Sequence, residues 1–423
     1  MLEKFTQIWK AKDLRKNILY VLGMLAIFRL AAHVPIPGVD VNALKGIFSS
    51  NQVLGLLNIF SGGSMKNFSI VMMGVAPYIT SSIVFQLLGM IVPQLEEMNK
   101  EETGRQKIQM WTRWLTVPLA ILQSYAMITL LRRSSYQILG DVSNIKLLSM
   151  VITITAGTVF LMWIGELINE KKVGNGISLL IFAGIIAELP SAVQQVAVTY
   201  DPSQLFTLIG FVAIGLVTIL GVVIITEGQR NIPVQYARQI RGNRVYGGTS
   251  THLPLRVNMA GVIPIIFAIS IILFPSMIAQ FFVQAKSVWL ANAAHSVINL
   301  FQNQLFYGIT YFIMVFAFTY FYTEVIFHPA KIAENLQKQG GFIPGIRPGN
   351  QTSEYLANTT HKIIFIGALF LSIIAVLPLI MRYFTGMQAL AVGGTSILIV
   401  VSVVIETMKQ VESQLTMREY EGY

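Results

Sequence analysis

Residues able to do covalent chemistry or bind metals are few in this chain and form no recognisable site. Its 423 residues include five histidines and no cysteine, which excludes thiolate catalysis, a disulfide framework and cysteine-based metal sites. No Gly-x-Ser-x-Gly elbow, His-Glu-x-x-His helix or nucleotide-binding loop occurs. His33, His252 and His328 lie near the ends of apolar segments and are interpreted as structural. We therefore expect no enzymatic activity, no metal and no cofactor.

The composition indicates a membrane protein. Hydrophobic residues make up 54% of the chain and charged residues only 12%, and the mean hydropathy is +0.63. A hydrocarbon core of about 30 Å is crossed by about 20 helical residues. Ten segments of suitable length and apolarity predict an all-α protein with ten spans: 17–37, 68–92, 111–131, 147–167, 177–196, 205–226, 256–283, 305–327, 361–381 and 389–405.

The positive charges predict the orientation of these spans. Loops on the side of both termini carry 22 Lys and Arg residues and the opposite loops carry 7. Cytoplasmic loops are enriched in these residues, so we expect both termini in the cytoplasm and the chain in the cytoplasmic membrane. The first span follows five cations and could be a signal peptide, but nine further spans favour a retained helix. Arg29 within it should lie near the outer interface or face protein.

Two repeats divide the chain into related halves. Gly74-Val75-Ala76-Pro77-Tyr78-Ile79 returns as Gly261-Val262-Ile263-Pro264-Ile265-Ile266, and Gly176-Ile177-Ser178-Leu179-Leu180-Ile181 returns as Gly394-Thr395-Ser396-Ile397-Leu398-Ile399. The first repeat joins spans 2 and 7, and the second joins spans 5 and 10. Because each half has five spans, the two halves cross the membrane in opposite directions. This predicts an inverted repeat with halves 1–200 and 201–423 and a working site between them.

Isoleucines recur at corresponding positions of the two repeats. We call Ile79, Ile83, Ile181, Ile185, Ile266 and Ile399 the isoleucine ring. Isoleucine in a membrane helix usually faces lipid or packs in the core, and that interpretation stays open. The alternative is that the symmetry-related residues form an apolar constriction, which would gate by dewetting.

A segment too short to span precedes the second span. It consists of Gly55, Leu56, Leu57, Asn58, Ile59 and Phe60, followed by Ser61, Gly62, Gly63 and Ser64, after which we expect the next helix to start at once. Irregular backbone at membrane depth is tolerated only against protein or a cavity, so we predict a half-inserted helix beside a cavity. A surface amphipathic helix on the outer leaflet is the alternative.

Two long loops on the side of the termini have ordered patterns. Residues 228–246 predict a hairpin with Arg241 and Arg244 flanking a Gly-Asn tip, suited to phosphate or carboxylate. A solvated loop that only marks orientation is the alternative. In the second loop Pro329 predicts a helix start and Gly340-Gly341 its end. The Pro- and Gly-rich stretch 344–349 predicts a rigid turn that displays Arg347.

A secondary transporter would also fit an inverted repeat with an interrupted helix. Such a protein needs coupling-ion or proton-relay groups near the middle of the membrane. Glu166, Glu227 and Glu324 lie near predicted cytoplasmic ends of spans, and Glu188 and Arg382 lie near outer ends. Too few ionisable residues lie at mid-span, so transport of this type is the second hypothesis.

The loop motifs show that the chain resembles the SecY family of protein-conducting channels over essentially its whole length. The resemblance rests on Gly228-Gln229-Arg230, on Arg244-Val245-Tyr246, and on the stretches 173–178, 250–264 and 344–349. It implies an hourglass pore between the halves, a plug helix at residues 55–66 and a pore ring formed by the isoleucine ring. It also implies a lateral gate between spans 2 and 7, where Asn258 and, less directly, Thr80 and Gln123 are the candidate polar residues.

The same resemblance implies partners. Loops 227–255 and 328–360, with Arg241, Arg244 and Arg347, would dock the motor SecA or the ribosome. Small membrane subunits similar to SecE and SecG would brace the channel from outside. Signal peptides, unfolded polypeptides and membrane lipid would meet the pore and its gate.

Overall fold

The computed structural model describes residues 9–37, 39, 44, 58, 61–132, 143–198, 205–236, 239–241, 244–246, 250–283, 285, 287–385 and 393–421. Most of them are helical. The helices of this described part are α1 (Lys12–Ala31), α2 (Ala76–Ile91), α3 (Pro93–Lys100), α4 (Glu102–Arg132), α5 (Asn144–Glu170), α6 (Gly176–Val198), α7 (Leu205–Glu227), α8 (Ile263–Phe282), α9 (Val288–Gln302), α10 (Gln304–Ile326), α11 (Pro329–Lys338), α12 (Asn350–Thr385) and α13 (Gly393–Glu421).

Each predicted span overlaps one long helix: α1, α2, α4, α5, α6, α7, α8, α10, α12 and α13 in chain order. By length and composition, four helical segments of the described residues could cross a membrane alone. A fifth could cross if α2 and α3, bent by 106°, count as one. Several other helices contain proline or several charged residues, for example Pro118 in α4 and Pro190 in α6. Both features interrupt the long apolar run that marks a simple span.

Spans 2 and 7 begin later than predicted, for the same reason in both. The apolar runs start at residues 68 and 256, whereas α2 starts at Ala76 and α8 at Ile263. Gly74 (φ +57°) and Gly261 (φ +63°) occupy the left-handed region, which glycine enters without steric cost. Val75 and Val262 then adopt nearly the same backbone angles, φ −97° and −94°. The first repeat is therefore also a repeat of backbone conformation.

The helices that carry the repeats contact one another. Helix α2 packs against α8, and α6 packs against α13, so each repeat joins two neighbouring helices. Helix α4 also contacts α8, and Ser81 of α2 donates a hydrogen bond to the carbonyl of Thr112 in α4 (2.7 Å). Among the described residues, the five N-terminal long helices and the five C-terminal ones therefore meet where α8 contacts α2 and α4 and where α6 contacts α13. We call the contacts α2–α8 and α6–α13 the two seams.

One large apolar core lies among the long helices, and much apolar surface lies outside it. The core draws residues from α1, α2, α4, α5, α6, α8, α10, α12 and α13, together with Val222 of α7. Helix α7 instead exposes a row of large apolar side chains, including Phe206, Ile209, Val217 and Leu220. An apolar face of this extent is stable in hydrocarbon and not in water, as expected for a multi-pass membrane protein.

A second, smaller core lies in the two long loops. Strands β1 (Gln229–Tyr236), β4 (Ser250–Arg256) and β5 (Gly341–Phe342) form one antiparallel sheet in the order β4-β1-β5. Ile232 and Val234 alternate with exposed residues on β1 and pack against Leu336 of α11 and Leu356 of α12. We call this unit, the sheet with α11 and the start of α12, the loop platform. The two loops are therefore joined into one packed body.

Candidate functional site

All six members of the isoleucine ring are buried in the same apolar core. None is more than 7% exposed. Ile79 and Ile266 are each the fourth residue of their helices, α2 and α8, while Ile181 and Ile399 lie near the starts of α6 and α13. Such burial is incompatible with the lipid-facing interpretation of these residues. It leaves two interpretations, a constriction and ordinary core packing.

A narrow apolar crevice lies between Ile181, one member of the isoleucine ring, and the segment expected to form the plug. Phe28, Gly62, Gly74 and Ile181 all line it. Gly62 lies so close to α6 that a methyl group added to Gly184 would fall 2.0 Å from the Cα of Gly62. The backbone of residues 61–64 therefore packs directly against the helix that carries Ile181 and Ile185.

The plug segment differs from the predicted helix. Gly55, Leu56, Leu57, Ile59 and Phe60 lie outside the described residues, and Asn58 lies within them. Residues 61–66 form turns rather than helix, and the chain continues in turns as far as α2. The predictions of a helix through residue 66 and of an immediate next helix are therefore wrong. Gly62 (φ +69°) and Gly63 (φ +76°) take left-handed angles that break a right-handed helix.

Serine hydroxyls stabilise these turns from within. Ser64 Oγ shares its one proton between the carbonyls of Ser61 (2.5 Å) and Val71 (2.9 Å), and Ser61 Oγ donates to the carbonyl of Asn58 (2.9 Å). Both serine side chains are buried. Because buried carbonyl groups need hydrogen-bond partners, these hydroxyls allow irregular backbone to lie inside the protein.

Two charged residues that the sequence analysis left without a role also contact this segment. Arg29 of α1 donates from Nη1 to the carbonyl of Gly62 (2.6 Å), so it faces protein as expected. Glu188 of α6 accepts at Oε1 from Asn58 Nδ2 (2.7 Å) and lies 3.1 Å from Lys66 Nζ. A usable signal was present in the sequence, since Arg29 and Glu188 carry opposite charges near the predicted outer ends of spans 1 and 5.

Among the described residues, no hydrogen bond joins the three gate candidates to one another. Thr80 hydrogen-bonds within its own helix, to the carbonyl of Ala76. Gln123 is buried in α4, and Asn258 is buried in the turn ahead of α8, where its Nδ2 donates to the carbonyl of Gly261 (3.2 Å). Among the described residues the Oδ1 atom of Asn258 has no hydrogen-bond partner. Helices α2 and α8 are adjacent, but the role of these residues at their seam stays a prediction.

The structure confirms the expected backbone of the loops. Strands β2 (Gln239–Arg241) and β3 (Arg244–Tyr246) form an antiparallel hairpin in which Arg241 and Arg244 are register partners. Helix α11 begins at Pro329 and ends at Lys338, with Gly340 at φ +70° beyond it.

Arg347 is exposed on the loop platform. Its carbonyl accepts a hydrogen bond from Thr352 Oγ1 (2.9 Å), and its turn is bounded by Gly345 (φ +81°) and Gly349 (φ +99°). On α11 of the same platform, Lys338 donates a hydrogen bond to Glu334, which holds the pKa of the Glu334 carboxyl below its usual range. Arg347 is therefore presented to solvent from a backbone whose conformation is constrained.

Comparison with known proteins places this arrangement in a family. The family model for SecY matches residues 69–408. The protein translocase subunit SecY of Streptomyces scabiei is 42% identical, with all of both chains covered. Among solved structures, one described as showing that the SecY plug domain stabilises the closed state and maintains a membrane seal has a TM-score of 0.62 at 16% identity, covering 93% of this chain and 91% of that chain.

A second solved structure has the same fold. Sec61 in the canine ribosome-channel complex from the endoplasmic reticulum matches with a TM-score of 0.57 at 15% identity, covering 93% of this chain and 91% of that chain. At these identities the likeness to solved structures shows the fold, while the sequence match of the translocase subunit extends over every residue. Because the family model also covers most of the length, the chain belongs to the SecY family.

Proposed function

We propose that this chain forms the channel of a protein translocase, through which unfolded secretory polypeptides cross the membrane and from which apolar segments pass into lipid. The observation that carries the proposal is the burial of all six residues of the isoleucine ring in one core, beside the turns of the plug segment. Family membership and a full-length match to a protein translocase subunit support it.

An apolar constriction suits this task. A pore for unfolded chains must admit side chains of every chemistry, so it cannot use the charged or carbonyl rings of ion-selective pores. A narrow ring of isoleucine resists ions because it strips their hydration, and it offers passing segments no hydrogen bonds. Four helices from both halves contribute to the ring, so movement of the halves relative to each other would change its width.

The other working parts follow from the same architecture. Residues 55–66 would form the plug, with Gly62 and Gly63 as its hinge. The seam between α2 and α8 would form the lateral gate through which signal sequences and membrane segments reach lipid. The halves 1–200 and 201–423 would move as the two bodies of the channel.

The loop platform is the proposed docking surface, on the cytoplasmic side with both termini. The platform exposes Arg347, and the β2–β3 hairpin, a separate sheet in the same long loop as β1 and β4, carries the register partners Arg241 and Arg244. Guanidinium groups are suited to carboxylate or phosphate. The motor SecA and the ribosome are the proposed partners, and small subunits similar to SecE and SecG would cover part of the exposed apolar surface. A secondary transporter is not favoured, because the full-length relative is a translocase subunit.

The test is substitution within the ring. Ile399→Asn or Ile266→Asn places an amide among apolar side chains, at a cost of about 1–3 kcal/mol when it lacks a hydrogen-bond partner in a dry site. Water that enters the isoleucine ring relieves that cost, so the population of the open state increases. We expect higher ion conductance of the resting channel in planar bilayers, and passage of precursors with defective signal sequences.

The matched control is Ile209→Asn on α7, where isoleucine is 55% exposed and faces outward. This variant makes the same chemical change away from the ring. Equal conductance in ring and control variants, with no rescue of a defective signal sequence by either, would assign the six isoleucines to ordinary packing.

A further inference from the structure

Two charged residues from different helices hold the turns of the plug segment. Arg29 lies in α1 and Glu188 in α6, and both side chains are only partly exposed. Charged side chains within spans are costly unless they are paired or hydrogen-bonded. Both make such contacts, and the contacts go to residues 58–66 rather than to neighbouring spans.

Glu188 joins both ends of this segment. Its Oε1 atom accepts from Asn58 Nδ2 at 2.7 Å and lies 3.1 Å from Lys66 Nζ. Asn58 is itself buried, and its Oδ1 accepts from the backbone N–H of Lys66 (3.1 Å). One carboxylate therefore closes a loop of nine residues through an amide and an ammonium group.

The glycine between these contacts makes room for the carboxylate. A methyl group added to Gly63 would fall 2.7 Å from Glu188 Oε1, so any larger residue would force the two apart. Its N–H donates to the carbonyl of Asn58 (2.8 Å). The backbone of the segment is thus shaped to receive Glu188.

Arg29 holds the segment from the opposite helix. Its Nη1 atom donates to the carbonyl of Gly62 at 2.6 Å, and its guanidinium lies 5.8 Å from the centre of the Phe28 ring. The segment therefore lies between a cation on α1 and an anion on α6.

We propose that Arg29 and Glu188 are positioning residues that latch Asn58 and the turns of residues 61–66 onto α1 and α6 and so set how readily the plug leaves the pore. Hydrogen bonds to charged groups are roughly twice as strong as those between neutral groups. Departure of the plug breaks them and leaves both charges without these partners. This proposal rests on the proposed channel function in one respect only: the state in which the latch is formed is taken to be the closed state of the channel.

The test measures release of the segment without any transported protein. Because the chain lacks cysteine, Met65→Cys places a single thiol at a position that is 1% exposed. In the full chain with its small subunits in proteoliposomes, a membrane-impermeant maleimide applied from outside should react slowly. Adding Glu188→Gln should raise the labelling rate about tenfold, the equivalent of about 1.4 kcal/mol.

Two further variants make the result specific. Glu170→Gln makes the same change on the exposed end of α5, away from the segment, and should leave labelling unchanged. In a chain that carries Asn58→Ala, adding Glu188→Gln should accelerate labelling less than it does in the parent, because the shared hydrogen bond is already lost. Thermal unfolding of each variant identifies loss of fold.

The possible results distinguish failure of the proposed latch from failure of the proposed channel function. Equal labelling of the parent, Glu188→Gln and Glu170→Gln in folded protein overturns the latch, while the ring variants still test the channel. Full additivity of the effects of Asn58→Ala and Glu188→Gln on the labelling rate also overturns the latch, since the two residues would then act independently. Faster labelling of Glu188→Gln in a chain that never transports a precursor supports the latch and overturns the proposed function.

Discussion

Gly184 is the position where the smallest change should displace the plug segment. Its helix, α6, approaches Gly62 backbone to backbone. In Gly184→Ala the new methyl group would lie 2.0 Å from the Cα of Gly62, 2.9 Å from its carbonyl carbon and 3.1 Å from its carbonyl oxygen. These are backbone atoms, so rotation of a side chain cannot relieve the overlap.

The size of the displacement follows from these distances. Carbon atoms in contact prefer a separation of about 3.5–4.0 Å, so the backbone at Gly62 must retreat by about 1.5–2 Å. The carbonyl of Gly62 is the acceptor for Arg29 at 2.6 Å, and a movement of this size breaks that hydrogen bond. Overpacking of a buried site costs about 1–3 kcal/mol. The closed arrangement should therefore lose about 5–150-fold in its equilibrium with the open one.

The measurement is the resting ion conductance of the reconstituted channel in a planar bilayer. Gly184→Ala should raise it, and precursors with defective signal sequences should be transported. Gly210→Ala on α7 is the control, because a methyl group there meets nothing within 4 Å. In an open helical site, alanine is favoured over glycine by about 0.5–1 kcal/mol, so the control should unfold at the same temperature as the parent or slightly higher.

A clear result would contradict this reasoning. If Gly184→Ala and Gly210→Ala conduct equally and both keep or gain thermal stability, the close contact of Gly62 with α6 does not hold the closed state. The plug segment would then tolerate a shift of this size without loss of the seal.

Three further predictions concern the loops, the gate and the orientation. Arg347→Glu should abolish precursor transport while the channel still inserts and stays stable, because an exposed carboxylate cannot make the paired hydrogen bonds of a guanidinium; normal transport would make Arg347 only an orientation signal. Asn258→Leu removes a buried polar group at the seam of α2 and α8, where an interhelical polar contact is worth about 0.6–1.7 kcal/mol, and should alter the signal-sequence hydrophobicity needed for opening; an unchanged threshold would remove Asn258 from the gate. Single cysteines at positions 241 and 140 should react with impermeant reagents only from the cytoplasmic and the outer side, respectively, and the opposite pattern would refute the predicted topology.

Local features of the chain were predictable from the sequence alone. The length of the apolar segments predicted the long helices, since it depends only on residues close in sequence. Turn chemistry predicted the β2–β3 hairpin with Arg241 opposite Arg244, the start of α11 at Pro329, and the turn that displays Arg347. The repeats also identified the two helix pairs, α2–α8 and α6–α13, that meet at the seams.

Where helices begin inside an apolar run was not predictable in this way. An apolar segment has the same hydropathy whether it forms a buried turn or a helix. The predicted helix starts therefore came too early, before the observed starts at Ala76 and Ile263. The deciding feature is the left-handed backbone at Gly74 and Gly261. The sequence shows a glycine there, but its conformation depends on what packs around it.

The contacts of the plug segment were decided by tertiary structure. Asn58 and Glu188 are 130 positions apart, and Arg29 and Gly62 are 33 apart. Nothing local to either residue indicates which partner will be within hydrogen-bond distance. Only the packing of α1 and α6 brings Arg29 to the carbonyl of Gly62 and Glu188 to the side chains of Asn58 and Lys66. The cost of leaving such charges without partners in an apolar core favours the arrangement that gives each of them a partner.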